Sequence, residues 1–125
     1  MRLLLDTHIA LWAITADPRL SPQAKKILME AEAAYVSAAS VWEIAIKHSL
    51  GKISPGPEVF ADAVEAAGFI ALPITAAHAG RVARLPPLHA DPFDRLLVAQ
   101  ALTEPLRLVT ADSRLAGYSE LVIAV

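Results

Sequence analysis

Four acidic residues, Asp6, Glu43, Asp94 and Asp112, each stand next to a short apolar run. An ionised carboxylate offers only acceptor oxygens and a negative charge. Several of them gathered in one place repel, and either protonation or a bound cation must relieve the repulsion. An all-oxygen set suits a hard divalent ion, Mg²⁺ or Mn²⁺, better than zinc. An ion held that way activates water and stabilises charge on a phosphoryl group. Thiolate sites are excluded because the chain has no cysteine, and its four histidines offer no close pair at zinc-ligand spacing. His8 is taken as the one histidine beside the proposed cluster and is a candidate substrate contact.

Each acid also has a purely structural reading. Asp6 and Asp112 stand where they would cap helices. Ser40-Val41-Trp42-Glu43 has the spacing of a capping box. Asp91-Pro92-Phe93-Asp94 offers Asp91 as cap, its favoured role, and Asp94 as a first-turn acid that complements the helix dipole.

The surrounding elements decide whether the four can meet. Leu3-Leu4-Leu5 is a wholly apolar run, expected of a strand covered on both faces. Further strands are predicted over 34–38, 69–72, 106–109 and 121–125. Helices are predicted over 7–14, from Pro22 onward, over 40–50, from about Val59 to Gly68, over 75–85 and from Pro92 through Leu102, with a short one over 112–116. Alternation of this kind indicates an α/β fold with a mainly parallel sheet, and no repeat or linker divides the chain. Helix N-termini in such a fold gather at the C-terminal edge of the sheet. Asp6 leaves the first strand and Glu43 is placed on the first turn of the helix after the second. Asp94 is on the first turn of the Pro92 helix, and Asp112 follows Leu108-Val109-Thr110. All four therefore belong to one edge; the strand order that would bring them together is not readable from the pattern.

At 125 residues with a hydrophobic fraction of 55% and 19% charged residues, the chain can bury a sizeable core as one domain over 1–125. The apolar excess favours self-association. A net charge of -2 does not advertise nucleic-acid binding. With four of the 13 acids held in one site, however, nine remain against 11 Lys+Arg, and a bound metal would cancel part of the rest. Absence of cysteine, of a signal-peptide pattern and of any run near the ~20 apolar residues of a membrane span points to the cytoplasm.

These residues resemble the PIN-domain nucleases. Leu4-Leu5-Asp6-Thr7-His8 looks like the family's opening motif and Ser40-Val41-Trp42-Glu43-Ile44 like its conserved-acid helix. The run from Asp91 to Ala101, Asp-Pro-Phe-Asp-Arg-Leu-Leu-Val-Ala-Gln-Ala, is similar to its third motif, and Thr110-Ala111-Asp112 to its fourth. The likeness spans nearly the whole chain and is greatest to toxins of the VapC type. It implies a PIN-like three-layer sandwich with a parallel five-stranded sheet, a Mg²⁺-dependent ribonuclease, a homodimer, and neutralisation by a small antitoxin protein.

On that reading Asp6 and Asp94 are the principal metal ligands, and Glu43 and Asp112 complete the site directly or through water. Thr7, Ser40 and Thr110 would orient the carboxylates by hydrogen bonds. Lys47, Lys52, Arg95 and Arg114 are candidates to hold the RNA backbone, Arg95 foremost, with an ion pair to Asp91 as its competing role. Trp12 and Trp42 could stack bases, although packing or partner contacts suit them better, and Trp12 beside Leu11 is a place for an antitoxin helix to dock. Other functions fit less well. A receiver-like signalling domain wants an adjacent acid pair after the first strand, which Asp6 lacks. A phosphatase of the haloacid dehalogenase kind needs Asp where His8 stands. A non-catalytic metal- or RNA-binding PIN module would not need all four acids.

Overall fold

The computed structural model describes all 125 residues. Five strands, β1 (Arg2–Leu5), β2 (Ala33–Ser37), β3 (Ile70–Leu72), β4 (Arg107–Thr110) and β5 (Val122–Ala124), alternate with helices α1 (Thr7–Thr15), α2 (Pro22–Glu30), α3 (Ala38–Ser49), α4 (Pro57–Ala66), α5 (Ala76–Val82) and α6 (Pro92–Thr103). A 3₁₀ helix, Ser113–Tyr118, joins β4 to β5. The sheet is parallel throughout, in the order β3-β2-β1-β4-β5.

The period of two along the strands separates two cores. Leu3 and Leu5 point into one, with Val36, Val109, Ile9 and Leu11 of α1, Ala24 of α2, and Phe60 and Val64 of α4. Leu4 and Leu108 point into the other, with Leu97, Val98 and Ala101 of α6, Leu85, and Leu115 of the 3₁₀ helix. The three leucines of β1 are fully buried, which is why that run has no polar alternation. Helices thus cover both faces, giving the three layers expected.

The strand order supplies what the sequence pattern could not. β1 and β4 are neighbours, with Leu5 in register with Val109, and they are the point at which the sheet reverses direction of growth. In open α/β sheets ligands bind outside the strand C-termini at such a switch point. Asp6 follows β1 and Asp112 follows the last residues of β4, so both acids are delivered to that crevice.

Candidate metal centre

Asp6 is buried and caps α1, its Oδ1 accepting from the Ile9 N–H at 2.9 Å. Its Oδ2 accepts from the Thr110 hydroxyl at 2.5 Å, across the β1–β4 pair. Burial pushes the Asp6 carboxyl above its ordinary range, against the pull of the Thr110 and Ile9 bonds. Capping and clustering are therefore not alternatives for Asp6. Each carboxylate oxygen has a lone pair left after its one bond.

Glu43 arrives from the side of α3. The helix starts earlier than the sequence suggested, at Ala38, because Ser37 is the cap and accepts from the Ala39 N–H at 3.0 Å. Glu43 is accordingly on the second turn rather than the first, and the Ser40–Glu43 capping box does not form. Ser40, already inside the helix, and Glu43 instead both meet Thr7: the Thr7 hydroxyl lies 2.6 Å from Glu43 Oε1 and 2.9 Å from Ser40 Oγ. All three residues are buried. Lys47, one turn on, donates to Glu43 Oε2 at 2.5 Å.

Asp94 comes from the opposite layer, on the first turn of α6. Asp91 caps that helix by accepting from the Asp94 N–H at 3.0 Å. Desolvation, then the charges of Asp91, Asp6 and Glu43, push the Asp94 carboxyl up to about 6, while a bond from His89 works the other way. The mutual repulsion argued from the sequence is thus present at this residue. Asp112 behaves oppositely. Arg114 holds it in a two-pronged ion pair with a contact of 2.8 Å, and its carboxyl falls to about 2.

The four acids share one cavity of about 230 Å³ whose lining includes Thr7, His8, Lys47, His89, Asp91 and Arg114 and no hydrophobic side chain. His89 was missed in the sequence, where His8 was the only histidine placed at the cluster. His89 Nε2 is 3.0 Å from Asp94 Oδ2 and 3.9 Å from Asp112 Oδ2, and one ligand atom from each of these three residues falls within 4.8 Å of the others. Its position two residues before the Asp91-Pro92 cap was the available signal, because a loop leading into that cap must end at the same sheet edge. The donor set, four carboxylates around a cavity with no hydrophobic lining, fits a hard divalent ion.

The remaining sequence candidates divide. Lys47 and Arg114 line the cavity, whereas Lys52 is exposed and outside its lining. Arg95 makes no ion pair with Asp91. Its guanidinium is engaged behind the site, with Pro86 O at 3.0 Å, Val82 O at 3.2 Å and the Tyr118 hydroxyl at 3.1 Å. Trp12 is half-buried against the first core and 5.8 Å from the His8 ring; Trp42 is exposed and meets Phe93 edge-on.

The PIN domain sequence profile matches residues 3–121. The chain belongs to the PIN-domain family. It is 32% identical over 117 residues to ribonuclease VapC22 of Mycobacterium tuberculosis (strain ATCC 25618 / H37Rv), covering 92% of this chain and 90% of that protein. Among solved structures, the PIN fold seen here is similar to VapBC2 from Rickettsia felis bound to a promoter DNA fragment (TM-score 0.71, 18% identity, 100% of this chain and 98% of that one). It is also similar to a toxin–antitoxin complex from Klebsiella pneumoniae (TM-score 0.70, 18% identity, 98% and 96%) and to FitAcB from Neisseria gonorrhoeae (TM-score 0.67, 20% identity, 98% and 96%). At those identities the structures establish the fold of this PIN domain. No helix in it is long and apolar enough to cross a membrane.

Proposed function

We propose that this PIN-domain protein, a single domain over 1–125, is a Mg²⁺-dependent endoribonuclease acting as the toxin of a toxin–antitoxin pair. The observation that carries the reading is the meeting of Asp6, Glu43, Asp94 and Asp112, from four separate elements, in one polar cavity. Ribonuclease VapC22 and the toxin–antitoxin complexes of the same fold support the activity and the biological role.

Asp6 and Asp94 are the principal ligands, with Glu43 and Asp112 completing the site directly or through water. Bound there, Mg²⁺, or Mn²⁺ in its place, supplies an activated water and charge neutralisation at a scissile phosphate. Thr110 fixes Asp6, and Thr7, seated on Ser40, fixes Glu43, so these carboxylates meet a cation without first being ordered. Lys47 and Arg114 each sit at the cavity wall paired to an acid, from which a phosphate oxygen can draw them. Arg95, tied to the 82–89 segment, positions rather than binds. Attack by water leaves a 5′-phosphate and a 3′-hydroxyl.

The groove beside Trp12, about 340 Å³ and lined by Ala13, Leu20, Leu28 and Met29, suits an antitoxin helix in a cytoplasmic complex, and the protein itself acts as a homodimer. Structured RNA incubated with purified protein tests the activity. Cleavage with Mg²⁺, its loss in EDTA and its loss in Asp6→Ala and Asp94→Ala are expected; cleavage that survives any of these removes the reading. Growth arrest on expression, relieved by a small protein encoded alongside, tests the toxin role. Unimpaired growth with active protein would remove that role alone.

A further inference from the structure

Among the four acids, Asp94 is held differently. Asp6 is fixed by Thr110 and the Ile9 N–H, Glu43 by Thr7 and Lys47, and Asp112 by Arg114. The one side-chain bond to the Asp94 carboxylate comes from His89, on a loop without regular structure. A carboxylate only accepts, so Nε2 of His89 is the donor. A loop residue can hold a ligand in place only if something holds the loop.

Arg95 and Tyr118 do so. Arg95 follows Asp94 on the first turn of α6, and its guanidinium donates to Pro86 O, at the start of the loop, to Val82 O, and to the Tyr118 hydroxyl. Tyr118, at the end of the 3₁₀ helix, donates to the backbone carbonyl of His89 at 3.3 Å. The loop is thus pinned at Pro86 and at His89 by groups that belong to α6 and to the segment after β4. The His89 side chain is 11% exposed and lies between the Asp94 and Asp112 carboxylates.

Resting on the metal reading above, we propose that His89 is a positioning residue of this site, holding Asp94 for the cation and set in turn by an Arg95–Tyr118 clamp. Partners that orient ligands in this way are worth about 10–100-fold in metal affinity or activity. The clamp also gives Arg95 a role that needs no contact with RNA.

Mn²⁺ binding to the purified full chain, measured by calorimetry, tests the proposal on the parent, His89→Ala, His89→Gln and Tyr118→Phe, with melting temperatures and RNA cleavage recorded beside it. His89→Ala is expected to weaken Mn²⁺ binding about 10–100-fold and to lower kcat with KM for RNA unchanged. His89→Gln keeps an N–H donor and regains part of the loss, which a merely structural or a metal-ligating imidazole would not allow. Tyr118→Phe weakens binding less than His89→Ala. Parent-like Mn²⁺ binding by His89→Ala, or His89→Gln no better than His89→Ala, overturns the proposal and leaves the metal site standing; parent-like binding by Tyr118→Phe overturns the clamp. A parent that binds no Mn²⁺ overturns the metal reading and this proposal with it.

Discussion

The Thr110 hydroxyl donates to Asp6 Oδ2 at 2.5 Å, joining the ends of two adjacent strands that are 104 residues apart in the chain. Both residues are buried, and the same Thr110 oxygen accepts from the Asp112 N–H at 3.0 Å. One side chain therefore orients one acid and anchors the turn that carries another.

Thr110→Val keeps the shape and removes the hydroxyl. Asp6 Oδ2 loses its donor and its carboxyl rises further, since the Thr110 bond is the largest of the effects that oppose burial. A loss of about 1–3 kcal/mol in unfolding free energy is expected by urea denaturation, together with a higher Mg²⁺ concentration for half-maximal cleavage. Thr110→Ser, which keeps the hydroxyl, should stay close to the parent in both measurements.

The Asp94 carboxyl, raised to about 6, makes a signed prediction about pH. An acid whose pKa rises on folding binds its proton more tightly folded than unfolded. Its contribution to stability is present below the unfolded value and is lost as pH climbs from about 4 through 6. Asp94→Asn removes the charge and keeps an acceptor for His89. Metal-free, it should be more stable than the parent at pH 7.5, by about 1 kcal/mol because partial exposure screens much of the shift, and should show no gain at pH 4. Added Mg²⁺ competes with the proton, so parent cleavage should fall below about pH 6 at low Mg²⁺ and at a lower pH when Mg²⁺ is raised.

Lys47 and Arg114 are both paired to site acids, Glu43 and Asp112, and both face the cavity. If they hold RNA phosphates, Lys47→Ala and Arg114→Ala each weaken RNA binding and flatten its salt dependence, by about 0.7 in the log–log slope per lost contact on single strands. Lys52→Ala, outside the cavity, should leave the slope unchanged. Fluorescence anisotropy with labelled RNA over a salt series, metal withheld to prevent cleavage, provides the measurement.

The sequence was most readable where one local rule sufficed. Leu3-Leu4-Leu5 could only be a two-faced strand, and Pro22 and Pro92 marked two helix starts within a residue. The α1 end was read one residue short: the helix runs to Thr15, where Ala16 turns left-handed at φ 51°. The start of α3 was misplaced because two serines compete, and the choice of Ser37 over Ser40 depends on where β2 ends. At the site, side chains adjacent to strand ends were visible, while what they bond to was not. His89 and Arg95 show why. Their hydrogen bonds run to Tyr118, more than twenty residues further on, and only the packing of the 3₁₀ helix against α6 and the 86–90 loop brings the three together.

The central claim is that distant carboxylates converge to hold one divalent cation. Crystals grown with Mn²⁺ and measured at the manganese absorption edge report on it directly. Anomalous density within coordinating distance of both Asp6 and Asp94, absent from crystals of Asp6→Ala, is the expected result. Density elsewhere on the molecule, or an empty cavity at saturating Mn²⁺, would contradict it.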